Sequence, residues 1–234
     1  MNATRIDLLR HGEVEGGERY RGSTDDVLSA RGWEQMRAAV GEACAWECII
    51  SSPLKRCAEF AVELAERHAL PLEFDARLQE IHFGAWEGKT AAELLVSHPE
   101  HLTRFWNDPV NNPPPEAENL LNFETRVLSA WHEHSAPTSG KRVLIITHGG
   151  VIRTIVGHMQ GLAWPDRLRI EVPHASVVHY VYGNLTDNVT CQDLTGKTPY
   201  HCEGEGGGCH RWRKIEQQRS SSGRDGDVSR RSCL

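Results

Sequence analysis

The chain has 234 residues, 39% hydrophobic and 25% charged, with a formal net charge of −6. That length supports one domain with its own core, and no apolar run approaches the ~18–20 residues a membrane helix needs. No basic stripe interleaved with aromatics crosses the first 200 residues, which argues against a nucleic-acid partner. Small anionic substrates stay open, because a site needs only a few local cations.

Seven cysteines, at 44, 48, 57, 191, 202, 209 and 233, are odd in number and irregularly spaced. They read as reduced thiols rather than a disulfide framework. The start, Met-Asn-Ala-Thr running straight into Arg-Ile-Asp-Leu-Leu, lacks a signal-peptide pattern. Both features point to the cytoplasm.

Thr4–Leu9 reads as a strand that ends in Arg10-His11-Gly12. Ser29–Cys44 reads as a helix capped by Ser29, with Trp33, Met36, Val40 and Ala43 on one face. Glu47–Ser51 is a short buried strand. Ser52-Pro53 opens a second helix through about His68, with proline at the first helical turn. Pro71–Phe74 is an edge strand, Arg77–Gly88 is irregular, and helices follow from Thr90 and over His98–Asn107. Asn111–Pro115 is a loop. Leu120–His134 is a helix by the spacing of Leu120, Phe123, Val127, Leu128 and Trp131. Arg142–Thr147 is the strongest strand; His148-Gly149-Gly150 follows it, then a helix from Val151 to about Met159. Ser176–Tyr182 and Asn188–Leu194 form a closing pair of strands. Alternating strands and helices predict an α/β fold with a largely parallel sheet, whose chemistry sits at the carboxyl ends of strands.

His11 and His148 both follow such strands. A neutral histidine beside an arginine can attack phosphorus, and neighbouring arginines keep it neutral by repelling its proton. Arg10 can also bind phosphate through its fork, and Gly12 lets backbone come close. Arg56, in Ser52-Pro53-Leu54-Lys55-Arg56, lies at a helix start that itself attracts anions. Glu80 lies among Phe, Trp and Gly residues that can shield it and let it donate a proton. His148 can donate to phosphoryl oxygens as charge shifts, with a backbone N–H from Gly149. Taken singly, each segment also fits a turn histidine, a surface arginine or a solvated glutamate.

Together the four segments resemble the histidine phosphatase superfamily, also called phosphoglycerate-mutase-like, from about Arg5 to Leu194. The resemblance implies a three-layer α/β/α sandwich and a domain over residues 1–200. It implies His11 as phosphoryl acceptor, His148 as second pocket histidine, Arg10 and Arg56 as phosphate clamps, and Glu80 as proton donor. It implies no metal and no cofactor. Glu80-Ile81-His82-Phe83-Gly84-Ala85-Trp86-Glu87-Gly88 and the short connection to Leu120 have the style of the small phosphatases rather than the mutases. Arg21-Gly22-Ser23 and Phe105-Trp106-Asn107-Asp108-Pro109 resemble α-ribazole-5′-phosphate phosphatases of cobalamin biosynthesis, although Ala117-Glu118-Asn119 departs from their usual Gly-Glu-Ser. Arg21, Gly22 and Ser23 are expected to line the substrate pocket. The expected partner is thus a small phosphorylated metabolite. A phosphoglycerate-type mutase, a broad sugar-phosphate or phosphoserine phosphatase and a catalytically silent phospho-ligand sensor are the rival readings.

Residues 201–234 hold few aliphatics and many Gly, Ser and charged residues, the composition of a disordered tail. His201-Cys202 and Cys209-His210 could be drawn as a zinc site, but adjacent ligand pairs on a short glycine-rich loop give poor tetrahedral geometry. His132 and His134, two apart on a helix, read as surface residues. Trp33 and Trp131 read as core; Trp86 and Trp106 are better candidates for a pocket wall, with core packing the first reading for both.

Overall fold

Apolar runs with few breaks make strands that are buried on both faces, and two of them form the centre of the sheet: β1 (Thr4–Arg10) and β4 (Arg142–Thr147). In the computed structural model, which describes residues 4–136, 141–182, 200–202 and 212–214, they pair in parallel with Arg10 opposite Thr147. The next residues, His11 and His148, therefore leave the sheet side by side. β2 (Cys48–Ser51) pairs with β4, and β3 (Leu72–Phe74) pairs with β2, both in parallel. β5 (Val177–Tyr182) runs antiparallel along β1 with Val177 opposite Leu9. The order is β3-β2-β4-β1-β5.

Helices cover both faces. α1 (Ala30–Val40) and α2 (Lys55–His68) bury Met36, Val40, Phe60 and Leu64 against Leu9, Leu144 and Ile146. On the opposite face, α5 (Leu120–Ser135) and α6 (Gly149–Met159) pack Phe123, Val127, Trp131 and Ile155 on Ile6, Leu8, Val143 and Ile145. Each such fully buried side chain contributes roughly 1.5–3 kcal/mol. The result is the expected three-layer α/β/α sandwich. A smaller cluster of Trp86, Leu94, Leu102 and Phe105 joins the segment after β3 to α3 (Ala91–Ser97) and α4 (Pro99–Asn107). A capping box between Thr90 and Glu93 starts α3, as that pattern does generally.

Several local expectations shift. α2 starts at Lys55, not at Ser52-Pro53, because the Ser52 hydroxyl is engaged by His148 and the Lys55 N–H is taken by Asp25 Oδ1 at 2.7 Å. α6 begins at Gly149 rather than Val151. A four-residue helix, α7 (Trp164–Arg167), is too short to show a period. His134 is not a surface residue: its side chain is 8% exposed and its Nε2 lies 2.8 Å from Asp75 Oδ2. Trp86, by contrast, is core, 1% exposed, as its first reading had it. The expected strand Asn188–Leu194 lies outside the described residues. So does most of the segment after 201, of which β6 (Tyr200–Cys202) and β7 (Trp212–Lys214) pair antiparallel.

Candidate active site

His11 stands at the carboxyl end of β1, 6% exposed, its backbone N–H on the Thr147 carbonyl at 3.0 Å. Its Nδ1 lies 2.8 Å from the Gly12 carbonyl. A carbonyl only accepts, so Nδ1 carries the proton and Nε2 keeps a free lone pair. Among the described residues, nothing hydrogen-bonds that Nε2. Burial first, then the charges of Arg56 and Arg10, hold His11 well below the usual histidine value. The ring is thus neutral near pH 7.

Two arginines flank it. Arg10 donates from NH1 to the Val172 carbonyl and from NH2 to His174 Nε2 at 3.0 Å. Its Nε is buried without a partner, a costly state unless something accepts from it. Burial lowers Arg10 to about 10, still cationic at neutral pH. Arg56, 1% exposed in the first turn of α2, donates to Gly22 O and Thr24 O at 2.6 Å each and to His148 Nδ1 at 3.2 Å.

A guanidinium only donates, so His148 accepts at Nδ1 and carries its proton on Nε2. That Nε2 is 2.7 Å from Ser52 Oγ. The rings of His11 and His148 meet edge to face, centroids 5.2 Å apart. Sequence reasoning cast His148 as a donor to phosphoryl oxygens. In this structure its Nδ1 accepts from Arg56 and its Nε2 meets Ser52 Oγ.

Glu80 reaches the site from the irregular segment after β3. Its Oε2 accepts the Gly150 N–H at 2.9 Å and its Oε1 the Ile81 N–H at 3.1 Å. Gly149 brings the N-terminus of α6 to the pocket wall, and a Cβ there would come within 3.1 Å of Arg153 NH1 and 3.4 Å of Arg10 Nε. The orphan amides of a helix start favour an anion at this point.

The remaining expected residues take other parts. Gly12 packs closely on α1: a Cβ would fall 2.3 Å from the Gly32 carbonyl. Arg21 lines the pocket, but its guanidinium is tied to Asp26 at 2.8 Å and to the Glu15 carbonyl. Gly22 has φ +50°, and a Cβ would meet the Ile81 carbonyl at 2.5 Å. Its own carbonyl holds Arg56. Ser23 is outside the pocket lining; its N–H and hydroxyl go to Glu87. Burial pushes the Glu87 carboxyl up, but hydrogen bonds from Thr24, Ser23 and Phe83 outweigh it and hold the group below its usual value. Glu87 thereby pins the loop that carries Gly22 against the segment of Glu80.

These groups open on a cavity of about 770 Å³, within the ordinary range for small ligands. Its lining includes the polar set His11, Arg10, Arg56 and Glu80 and an apolar set, Tyr20, Phe83, Phe105, Trp106 and Leu168. Trp106 is 43% exposed, as a pocket wall rather than core. Sequence reasoning missed Arg153 and His174, both of which line the cavity. Arg153 donates from Nε to Ile170 O at 2.9 Å. No helix among the described residues is long and apolar enough to cross a membrane, and no three His, Cys, Asp or Glu side chains among them gather as a metal cluster.

Residues 6–191 match the profile of the histidine phosphatase superfamily (branch 1). The chain belongs to this superfamily. It is 32% identical over 179 residues to glucosyl-3-phosphoglycerate phosphatase of Mycolicibacterium vanbaalenii, covering 70% of this chain and 79% of the relative. Among solved structures, Bacillus stearothermophilus YhfR superposes with a TM-score of 0.72 at 29% identity, over 81% of this chain and 96% of that one. The α-ribazole phosphatase of Shigella flexneri gives 0.66 at 23% identity, over 77% and 94%; at that identity the likeness shows the fold alone. With its superfamily relatives the chain is a phosphoric monoester hydrolase.

Proposed function

We propose that the protein is a metal-independent phosphomonoesterase that works through a phosphohistidine on His11. The observation that carries this reading is the free Nε2 of a neutral His11, oriented by its Nδ1 bond to Gly12 and set near the buried Arg56 and the half-buried Arg10. In the first step Nε2 attacks phosphorus, the ester P–O bond breaks, and Glu80 acts as general acid toward the leaving oxygen. In the second step water attacks the phosphohistidine, Glu80 takes the water's proton, and inorganic phosphate leaves. Arg10, Arg56 and the Gly149 N–H hold the equatorial oxygens as charge spreads over them. His148 keeps Arg56 in place.

The leaving group lies toward Tyr20, Phe83, Phe105 and Trp106. That wall favours a leaving group with an apolar, planar part. Together with the Arg21-Gly22-Ser23 and Phe105-Trp106 segments, it supports α-ribazole 5′-phosphate, whose base is a flat fused ring, as the leading substrate, and so a place in cobalamin biosynthesis. Free thiols at Cys44, Cys48 and Cys57 support a cytoplasmic setting.

Phosphate release in EDTA from p-nitrophenyl phosphate, α-ribazole 5′-phosphate, glucosyl-3-phosphoglycerate and phosphoserine tests the reading. Turnover that survives EDTA, with the ribazole ester preferred, is the expected result. No release from any ester in wild type would overturn it. Preference for glucosyl-3-phosphoglycerate would keep the chemistry and replace the substrate.

A further inference from the structure

The loop between α7 and β5 is fastened to the nucleophile's own strand. Arg10 N–H donates to Ser176 O at 3.0 Å and Ala175 N–H to His11 O at 3.2 Å. Ala175 sits in the left-handed region, φ 55°, unusual for a residue with a side chain. The bend places His174 beside the site, its ring centroid 5.7 Å from that of His11. From there its Nε2 lies 3.0 Å from Arg10 NH2.

We infer that His174 is a positioning residue for the phosphoryl-transfer reaction, acting through Arg10. The guanidinium can only donate, so His174 Nε2 accepts and its proton is on Nδ1. Arg10 is then gripped at both terminal nitrogens, by His174 and by the Val172 carbonyl. A planar group held at two corners has no rotational freedom left. Of the donors not used in these two bonds, Nε is buried and without a partner, on the side of Gly149. That orphan donor and the helix start of α6 converge where a phosphoryl oxygen would lie. Without His174, Arg10 is held at one corner and its Nε can turn away. Burial and the charge of Arg10 lower His174 to about 4, so it stays an acceptor over the working range. This role rests on the phosphatase reading for Arg10, and it names a residue that no motif marks.

Two variants separate acceptor from bulk. His174→Leu keeps volume and removes the acceptor; His174→Gln keeps an acceptor at similar reach. The readouts are inorganic phosphate affinity by calorimetry, kcat and KM for p-nitrophenyl phosphate, and thermal midpoint. Loss of one hydrogen bond to a charged group corresponds to roughly 10- to 100-fold in affinity or rate. The Leu variant is expected to lose roughly that much in phosphate affinity and kcat/KM, with the Gln variant recovering most of it and both melting near wild type. Equal behaviour of Leu and wild type would overturn the proposal, as would a Leu defect that Gln does not rescue, or a defect that tracks a lost thermal midpoint. Wild type that binds phosphate but hydrolyses nothing would overturn the phosphatase reading while the affinity comparison still decides the role of His174. Wild type that binds no phosphate would overturn both.

Discussion

Glu80 hangs on Gly150: its Oε2 accepts that residue's backbone N–H at 2.9 Å, and a Cβ added to Gly150 would stand 2.2 Å from its Oε1. The clash would be with the end of a flexible side chain, so the helix can tolerate alanine while the carboxylate is pushed aside. Gly150→Ala is therefore expected to lower kcat by about 10-fold or more, as misplacing an acid–base group does, with little change in thermal midpoint. Unchanged kcat in a folded Gly150→Ala protein would mean that the observed position of Glu80 is not the working one.

Glu80→Gln tests the same group by chemistry rather than position. Removal of a general acid costs roughly 100- to 10,000-fold. Turnover of p-nitrophenyl phosphate is a lenient probe because its leaving group needs little protonation, so an alkyl phosphate should show the larger loss. Phosphate affinity by calorimetry should stay within a few-fold of wild type, since Arg10, Arg56 and Gly149 remain.

The pH dependence follows from His11. Burial and the charges of Arg56 and Arg10 hold its pKa well below the usual histidine value of about 6.5. Activity needs the neutral ring, so the acid limb due to His11 should lie well below that value. Arg56→Met removes the larger of the two repulsions. His11 then binds its proton more readily, and the acid limb of residual phosphoenzyme formation should move up in pH. A limb that stays in place or moves down would contradict the electrostatic account.

Asp75 gives a stability prediction away from the chemistry. Burial pushes its carboxyl up, but hydrogen bonds from Arg77 and His134 prevail and hold it at about 2. Because the folded value is depressed, its stabilisation is present above the ordinary 3.8 and is lost as pH falls from there toward about 2. Asp75→Asn should lower stability at neutral pH by about 1–3 kcal/mol, the range for breaking a partly buried charged hydrogen-bond group. Its unfolding free energy should also fall less steeply than wild type between those two pH values. Denaturant titrations at three pH values check both points.

Much of this was legible because the carrying signals are local. β1 and β4 announce themselves as apolar runs, and Arg10-His11 and His148-Gly149 follow them directly. Helices with clear periods, such as α5, were placed within a residue or two. What was hidden depends on distant partners. Asp25 caps Lys55 from another loop, so the start of α2 was not visible in Ser52-Pro53. The close packing of Gly12 on Gly32 has no local signal either. His134 looked exposed beside His132, but Asp75 draws it in. His174 carries no motif. One signal could have found it: if the last strand runs antiparallel along β1, the residues just before Val177 must lie beside those just after Leu9.

The most direct test of the central claim is to trap the phosphoenzyme. Wild type and His11→Ala would be mixed with p-nitrophenyl phosphate in EDTA, quenched in alkali, and the modified peptide identified by mass spectrometry. The account predicts an alkali-stable, acid-labile phosphate on the peptide that holds His11, absent from the variant, whose turnover is also abolished. Phosphate on any other residue, or normal turnover by His11→Ala, would contradict it.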